Sequence, residues 1–291
     1  MGTLDARHCG YALGALWPAG LLLVLVKVEF SQVSTVFFAV AAALYAGVGA
    51  VLIRRLYRAG QAPAATLAAA GIGLFAVVGF AGEPTAVRPS AMLLNTAILF
   101  VVAVALLLGM VGLSVRFRTS PRMSTVVPAL VLLLLGTGGF LLNLLARVAI
   151  VLVGADGQQL AVEHTHWQAA NYLRGLPGPA DFVGYTLVWL DLVQLAYLVT
   201  GYLAAAALAW LTVRSRRAAT ILVTAGLGLA SMLTIGAVAA IALPHSADAV
   251  PATIAFVTSI PFMATLIPFA LAAVLLTETV DSDRTHPSGV K

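Results

Sequence analysis

Charge is what this chain has least of. Only 9% of its 291 residues are Asp, Glu, Lys or Arg, whereas a soluble domain carries about a quarter. Cysteine is almost missing too. Cys9 stands alone, which excludes an internal disulfide and any multi-cysteine metal centre. No Walker A sequence is present, so the chain is not itself an ATPase. HExxH and GxSxG are absent, which removes zinc-protease and nucleophile-elbow chemistry. The five histidines are too few and too scattered for a multihaem cytochrome with paired axial ligands. No mid-span lysine near the C-terminus offers a retinal Schiff base, and no aspartate-rich diphosphate-binding motif of the prenyltransferase kind occurs.

What remains is apolar: 61% of the residues are hydrophobic. Runs of roughly twenty apolar residues match a hydrocarbon core about 30 Å thick. Eight such runs stand out, at 10–28, 34–53, 63–82, 91–113, 124–153, 182–211, 218–243 and 251–276. Backbone in lipid must satisfy its own hydrogen bonds, so each run is expected to be a helix. The alternating polarity of a membrane barrel is missing. The expected fold class is therefore all-α: one polytopic membrane helix bundle of about eight spans over 1–291. The first run lacks a following small-residue cleavage site and reads as a retained helix. Pro261 and Pro268 are expected to bend the last span.

The few charges are sorted. "RRLYR" (54–58), "RFRTSPR" (116–122) and "RSRR" (214–217) hold three arginines each and follow the second, fourth and sixth runs. Positive residues stay cytoplasmic, so a multi-pass protein of the cell membrane is expected, with both termini cytoplasmic. The opposite connections carry Glu29, Glu83, Asp156, Glu163, Asp181 and Asp248. This sorting accounts for the net charge of +5 without a nucleic-acid partner; contact with anionic lipid suffices. "AATLAAAGIGL" (64–74) and "AATILVTAGLGL" (218–229) suggest a parallel four-plus-four repeat. Residues 277–291 read as a cytoplasmic tail.

The longest connection, 153–181, is an outer loop and a candidate lid. Its "LAVEHTHWQAANYLR" can form an interfacial helix with Trp167 at headgroup level. Glu163, His164 and His166 are too sparse a set for a metal site, and neither metal nor cofactor is expected.

Polar groups at membrane depth are costly and face the bundle interior. Asn143 and Arg147 are four residues apart and share a helix face. Asp191 lies roughly nine residues below the outer boundary and Arg147 about six or seven. An Arg147–Asp191 pair is expected, completed by Asn143 and Gln194. Tyr185, Trp189, Tyr197 and Tyr202 surround it in sequence. As a helix-registering salt bridge this centre is structural; as an acid or substrate anchor it is functional.

An acid among aromatics in an apolar setting suits one reaction class. A proton donor starts cyclisation of a polyprenyl alkene or epoxide, and π-faces stabilise the growing cation. Burial keeps the acid protonated. In "YTLVWLDLVQLAY" (185–197), in its size and in its all-helical membrane body, the chain resembles the membrane-bound terpene cyclases of meroterpenoid and indole-terpenoid pathways. The familiar fungal members are shorter and have fewer spans. The resemblance implies an enzyme acting on a hydrophobic lipid or isoprenoid, with Asp191, Glu29 or Glu83 as catalytic acid. Tyr185, Trp189, Gln194, Tyr197, Tyr202, Asn143, Arg147 and Trp167 would contact substrate. Arginine beside Asp191 would keep it ionised, which passes the donor role to Glu29 or Glu83. The alternatives are a transporter, permease subunit or exporter in which Asp191 and Arg147 gate or couple protons, and a non-catalytic assembly protein. The expected partners are the bilayer and a hydrophobic small molecule.

Overall fold

A computed structural model describes residues 6–29, 35–58, 60–81, 89–155, 182–242 and 261–284. They form α1 (Ala6–Glu29), α2 (Thr35–Arg58), α3 (Ala62–Ala81), α4 (Pro89–Arg116), α5 (Met123–Ala155), α6 (Phe182–Thr212), α7 (Arg216–Ala242), a 3-10 turn (Pro261–Thr265) and α8 (Leu266–Arg284). No strand occurs among the described residues. Five helices there are long and apolar enough to cross a membrane, in the stretches Val36–Arg58, Thr96–Arg116, Met123–Ala149, Leu192–Thr212 and Arg216–Val238. Their outward faces confirm the solvent they are built for. Phe37, Val40, Leu44, Val48 and Val51 line the exposed side of α2, and Val131, Leu135 and Leu142 that of α5. Such a surface would aggregate in water and suits acyl chains.

Helix neighbours follow chain order, and α8 joins the two ends of it. α3 packs against α2 and α4, α6 against α5 and α7, and α8 against α1, α3 and α6. α3 is the most enclosed element: Ala64, Ala65, Leu67, Ala68, Ala70, Ile72, Leu74 and Phe75 are all buried. Lipid removes the hydrophobic drive between helices, so close contact must come from small residues. At Gly71 a Cβ would sit 2.7 Å from Cδ2 of Phe269, so the ring of α8 occupies that space. At Gly226 it would sit 3.1 Å from the Tyr202 carbonyl oxygen, a backbone atom that cannot swing aside. Two buried hydroxyls turn back on their own helices, Ser114 to the Val111 carbonyl and Thr212 to that of Leu208, which keeps them satisfied without water.

The three arginine clusters meet at one end. α2 closes in a left-handed glycine cap: Gly60 has φ 73°, its N–H donates to Tyr57 O at 3.1 Å, and Gln61 N–H donates to Leu56 O at 3.0 Å. This is the double bond pattern of a Schellman turn. Arg116 of α4 fastens to it, donating to Gln61 Oε1 and Gly60 O, each at 2.9 Å. Arg122 lies over the Trp210 ring of α6, 5.5 Å from its centroid.

The last apolar run is described from Pro261 on. Its described part begins as a 3-10 turn at Pro261 and becomes α-helical at Leu266. Pro268 falls in the first α turn, where its missing N–H costs nothing. α8 then continues to Arg284, eight residues past the apolar run, through "TETVDSDR". Residues 251–260, residues 156–181 where the lid is expected, and those after 284 lie outside the described residues.

Candidate functional site at the α5–α6 contact

Small residues bring α5 and α6 together. A Cβ on Gly136 would run into the Thr200 side chain, and one on Gly139 would touch Val193 at 3.4 Å. With the backbones this close, Phe140 and Tyr197 stack face to face, centroids 4.4 Å apart and planes 1° apart. Both rings are buried.

One turn further along α5, Asn143 is fully buried at 0% exposure. Its Nδ2 donates across the interface to the Leu190 carbonyl of α6. Its Oδ1 accepts from Nε of Arg147 at 2.8 Å. The two bonds together fix the amide orientation, since one end must donate and the other accept. Asn143 thus ties α5 to α6 and aims Arg147 at the same contact. Arg147 is half-buried, and Gln194, one turn beyond Leu190, is buried at 3% exposure.

The structure therefore brings Asn143, Arg147, Gln194 and Tyr197 to one contact. Asp191 follows Leu190 directly in the α6 backbone. Its side chain, and with it the expected pair with Arg147, lies outside the described residues, as do the side chains of Tyr185 and Glu29 and the whole of Glu83 and Trp167. Two aromatics stand elsewhere. Trp189 is 54% exposed and faces away from the bundle. Tyr202 is buried and donates to the Met263 carbonyl at 2.9 Å, so it serves α8.

Trp189 and Trp210 set the depth of this centre. Both are exposed on α6, and 21 residues separate them, about 32 Å of helix. That matches the roughly 30 Å hydrocarbon core, at whose two boundaries tryptophan concentrates. Leu190 is adjacent to Trp189, so the Asn143–Arg147 tie is level with that exposed tryptophan.

Sequence reasoning missed a second polar centre around the 3-10 turn. Trp17 of α1 is buried and donates through Nε1 to Thr265 Oγ1 at 3.0 Å. Tyr202 holds the same turn at Met263. Phe75 meets Trp17 edge-on at 5.5 Å and Tyr45 edge-on at 6.4 Å. The available signal was Trp17 itself, a tryptophan eleven residues into α1 and so away from the boundaries where the type gathers. No protein-family model, curated protein or solved structure significantly matches the chain.

Proposed function

We propose that this is an enzyme of the cell membrane acting on a hydrophobic lipid or isoprenoid substrate at the α5–α6 contact. The observation that carries the reading is the buried Asn143, whose amide donates to the Leu190 carbonyl with one end and accepts from Arg147 with the other. It positions a cation at the depth where an amphipathic lipid changes from chain to head. In this reading the apolar body of the substrate lies against the helices, its polar or reactive end meets Arg147 and Gln194, and Asp191 supplies the acid. Eight spans belong to the same proposal, with the arginine end and both termini cytoplasmic. So does the four-plus-four duplication, whose two copies would then have diverged in setting. Residues 64–74 are enclosed, whereas 218–229 expose Ile221 and Leu227.

Terpene cyclisation is the narrower form of this reading. It needs open π-faces, and Tyr197 is covered by Phe140, so Tyr185 and the loop residue Trp167 would have to supply them. Transport is the second reading. The observation favouring it is the 3-10 turn at Pro261–Thr265 that leads into α8 within the last apolar run, because non-helical backbone near mid-membrane forms the sites of many transporters.

The test is expression in a host supplied with prenylated aromatic precursors and their epoxides, with lipid extracts compared by liquid chromatography and mass spectrometry. The expected result is a new isomeric peak that Asp191→Asn and Arg147→Gln each remove. Unchanged extracts from folded protein across the panel, together with protein-dependent accumulation or release of a precursor, would replace the enzyme by a transporter.

A further inference from the structure

α6 turns one stripe outward, from Trp189 through Leu192, Ala196, Val199 and Leu203 to Trp210, at helical spacing. α5 covers its Val193, Tyr197 and Thr200 side and α7 its Tyr202 and Ala206 side. The stripe is therefore a shallow apolar strip between two flanking helices, ending in an aromatic ring at each membrane boundary. The two ends differ. At Trp189 the ring belongs to the candidate site's level. At Trp210 a cation lies on it.

We propose that the arginine end of this strip binds the phosphate of an anionic phospholipid, with Arg122 as the phosphate ligand and Trp210 as the platform that holds its guanidinium at headgroup depth. Three observations converge. First, Arg122 meets Trp210 through the ring face at 5.5 Å. A cation over a ring is held by the ring quadrupole, so its N–H donors stay available to pair with phosphate. Second, the level is right. Trp210 is two residues from the end of α6 and Arg122 one residue before α5 begins. Third, arginine predominates locally, although α8 brings Glu278, Asp281 and Asp283 to the same end. Nine arginines are exposed at this end, and the segments 54–62, 114–125 and 212–220 that carry them contain no Asp or Glu.

Arg116 has a different occupation, bonded to the Gly60 cap, so the cluster is not a uniform charge. A lipid fits better than a soluble polyanion because the Trp210 ring belongs to the sideways-facing strip, continuous with Leu203 and Val199. Acyl chains reach that surface, and a soluble partner arriving at the end of the bundle does not.

The full-length protein is reconstituted in nanodiscs of equal phosphatidylcholine and phosphatidylglycerol, re-extracted, and its retained lipids are counted by native mass spectrometry. Phosphatidylglycerol should be enriched. Arg122→Gln should cut the enrichment about fivefold, the worth of one basic residue at an anionic surface. Trp210→Leu, which removes no charge, should also cut it, and Arg122→Lys should fall between. Arg54→Gln should lower it much less than Arg122→Gln does. Absence of enrichment in the wild type overturns the proposal. So does an enrichment that survives both Arg122→Gln and Trp210→Leu, or one that every arginine variant lowers alike, which would mark general surface charge. Elution volume and thermal midpoint on the same samples separate loss of the site from loss of the fold, and the Trp210→Leu arm decides if Arg122→Gln fails to fold.

Discussion

Replacing Asn143 with leucine removes two interactions while keeping the branched side-chain shape and heavy-atom count. The Leu190 carbonyl keeps its helical partner and loses only a second donor. Arg147 loses the 2.8 Å acceptor of its Nε. Interhelical hydrogen bonds in bilayers average about 0.6 kcal/mol and reach about 1.7, while bonds to a charged group contribute about 1.5–3. One of each gives an expected loss of about 2–4 kcal/mol. Asn143→Ala should cost more, because a cavity is added in a contact where Phe140 and Tyr197 are already stacked. The assay is reversible unfolding in mixed micelles, followed by loss of helical circular dichroism. Arg147→Met completes a double-mutant cycle, and the pair should couple by about 1–2 kcal/mol. Effects that add to within about 0.3 kcal/mol, or a loss below about 0.5 kcal/mol for Asn143→Leu, would refute the idea that this amide organises the site.

Tyr45 is buried and its hydroxyl has no partner among the described residues; Tyr45→Phe should therefore leave stability unchanged or raise it by up to about 1–3 kcal/mol, and a marked drop in the unfolding midpoint would reveal a partner. Gly71→Leu should destabilise by about 1–3 kcal/mol, because its Cβ would lie 2.7 Å from Phe269, whereas Gly73→Ala on the same helix meets nothing within 4 Å and should be neutral; equal effects would contradict the α3–α8 contact. Single-tryptophan variants in vesicles should show Trp189 and Trp210 quenched by shallow lipid labels and Trp17 by labels at the bilayer centre. Deep quenching of Trp189 would move the Asn143–Arg147 tie into the core.

Some of this was readable from residue order and some was not. The limits of α3 differ by one residue from its apolar run, because an enclosed helix is apolar all round and stops where that ends. Asn143 and Arg147 at i and i+4 point to a shared face, and they bond. The aromatics were harder. Nearness in sequence grouped Trp189, Tyr197 and Tyr202 around Asp191, but five residues turn a helix about 140°, and Tyr197 and Tyr202 serve α5 and α8 respectively. Trp189 belongs to the lipid-facing stripe, which becomes visible only once the neighbours of α6 are known. α8 continues eight residues past its apolar run, because hydropathy marks the membrane and not the helix. The Trp17–Thr265 bond joins residues 248 apart, a distance no local pattern spans.

The most direct test of the central claim uses a clickable isoprenoid carrying a diazirine at its polar end, photolysed with the protein in native membranes and mapped by mass spectrometry. The account predicts labelling concentrated on the α5 segment around 140–147 and the α6 segment around 187–194, competed by excess unlabelled lipid and reduced in Asn143→Leu. Labels spread evenly along the exposed faces of α2 and α7, without competition, would contradict it.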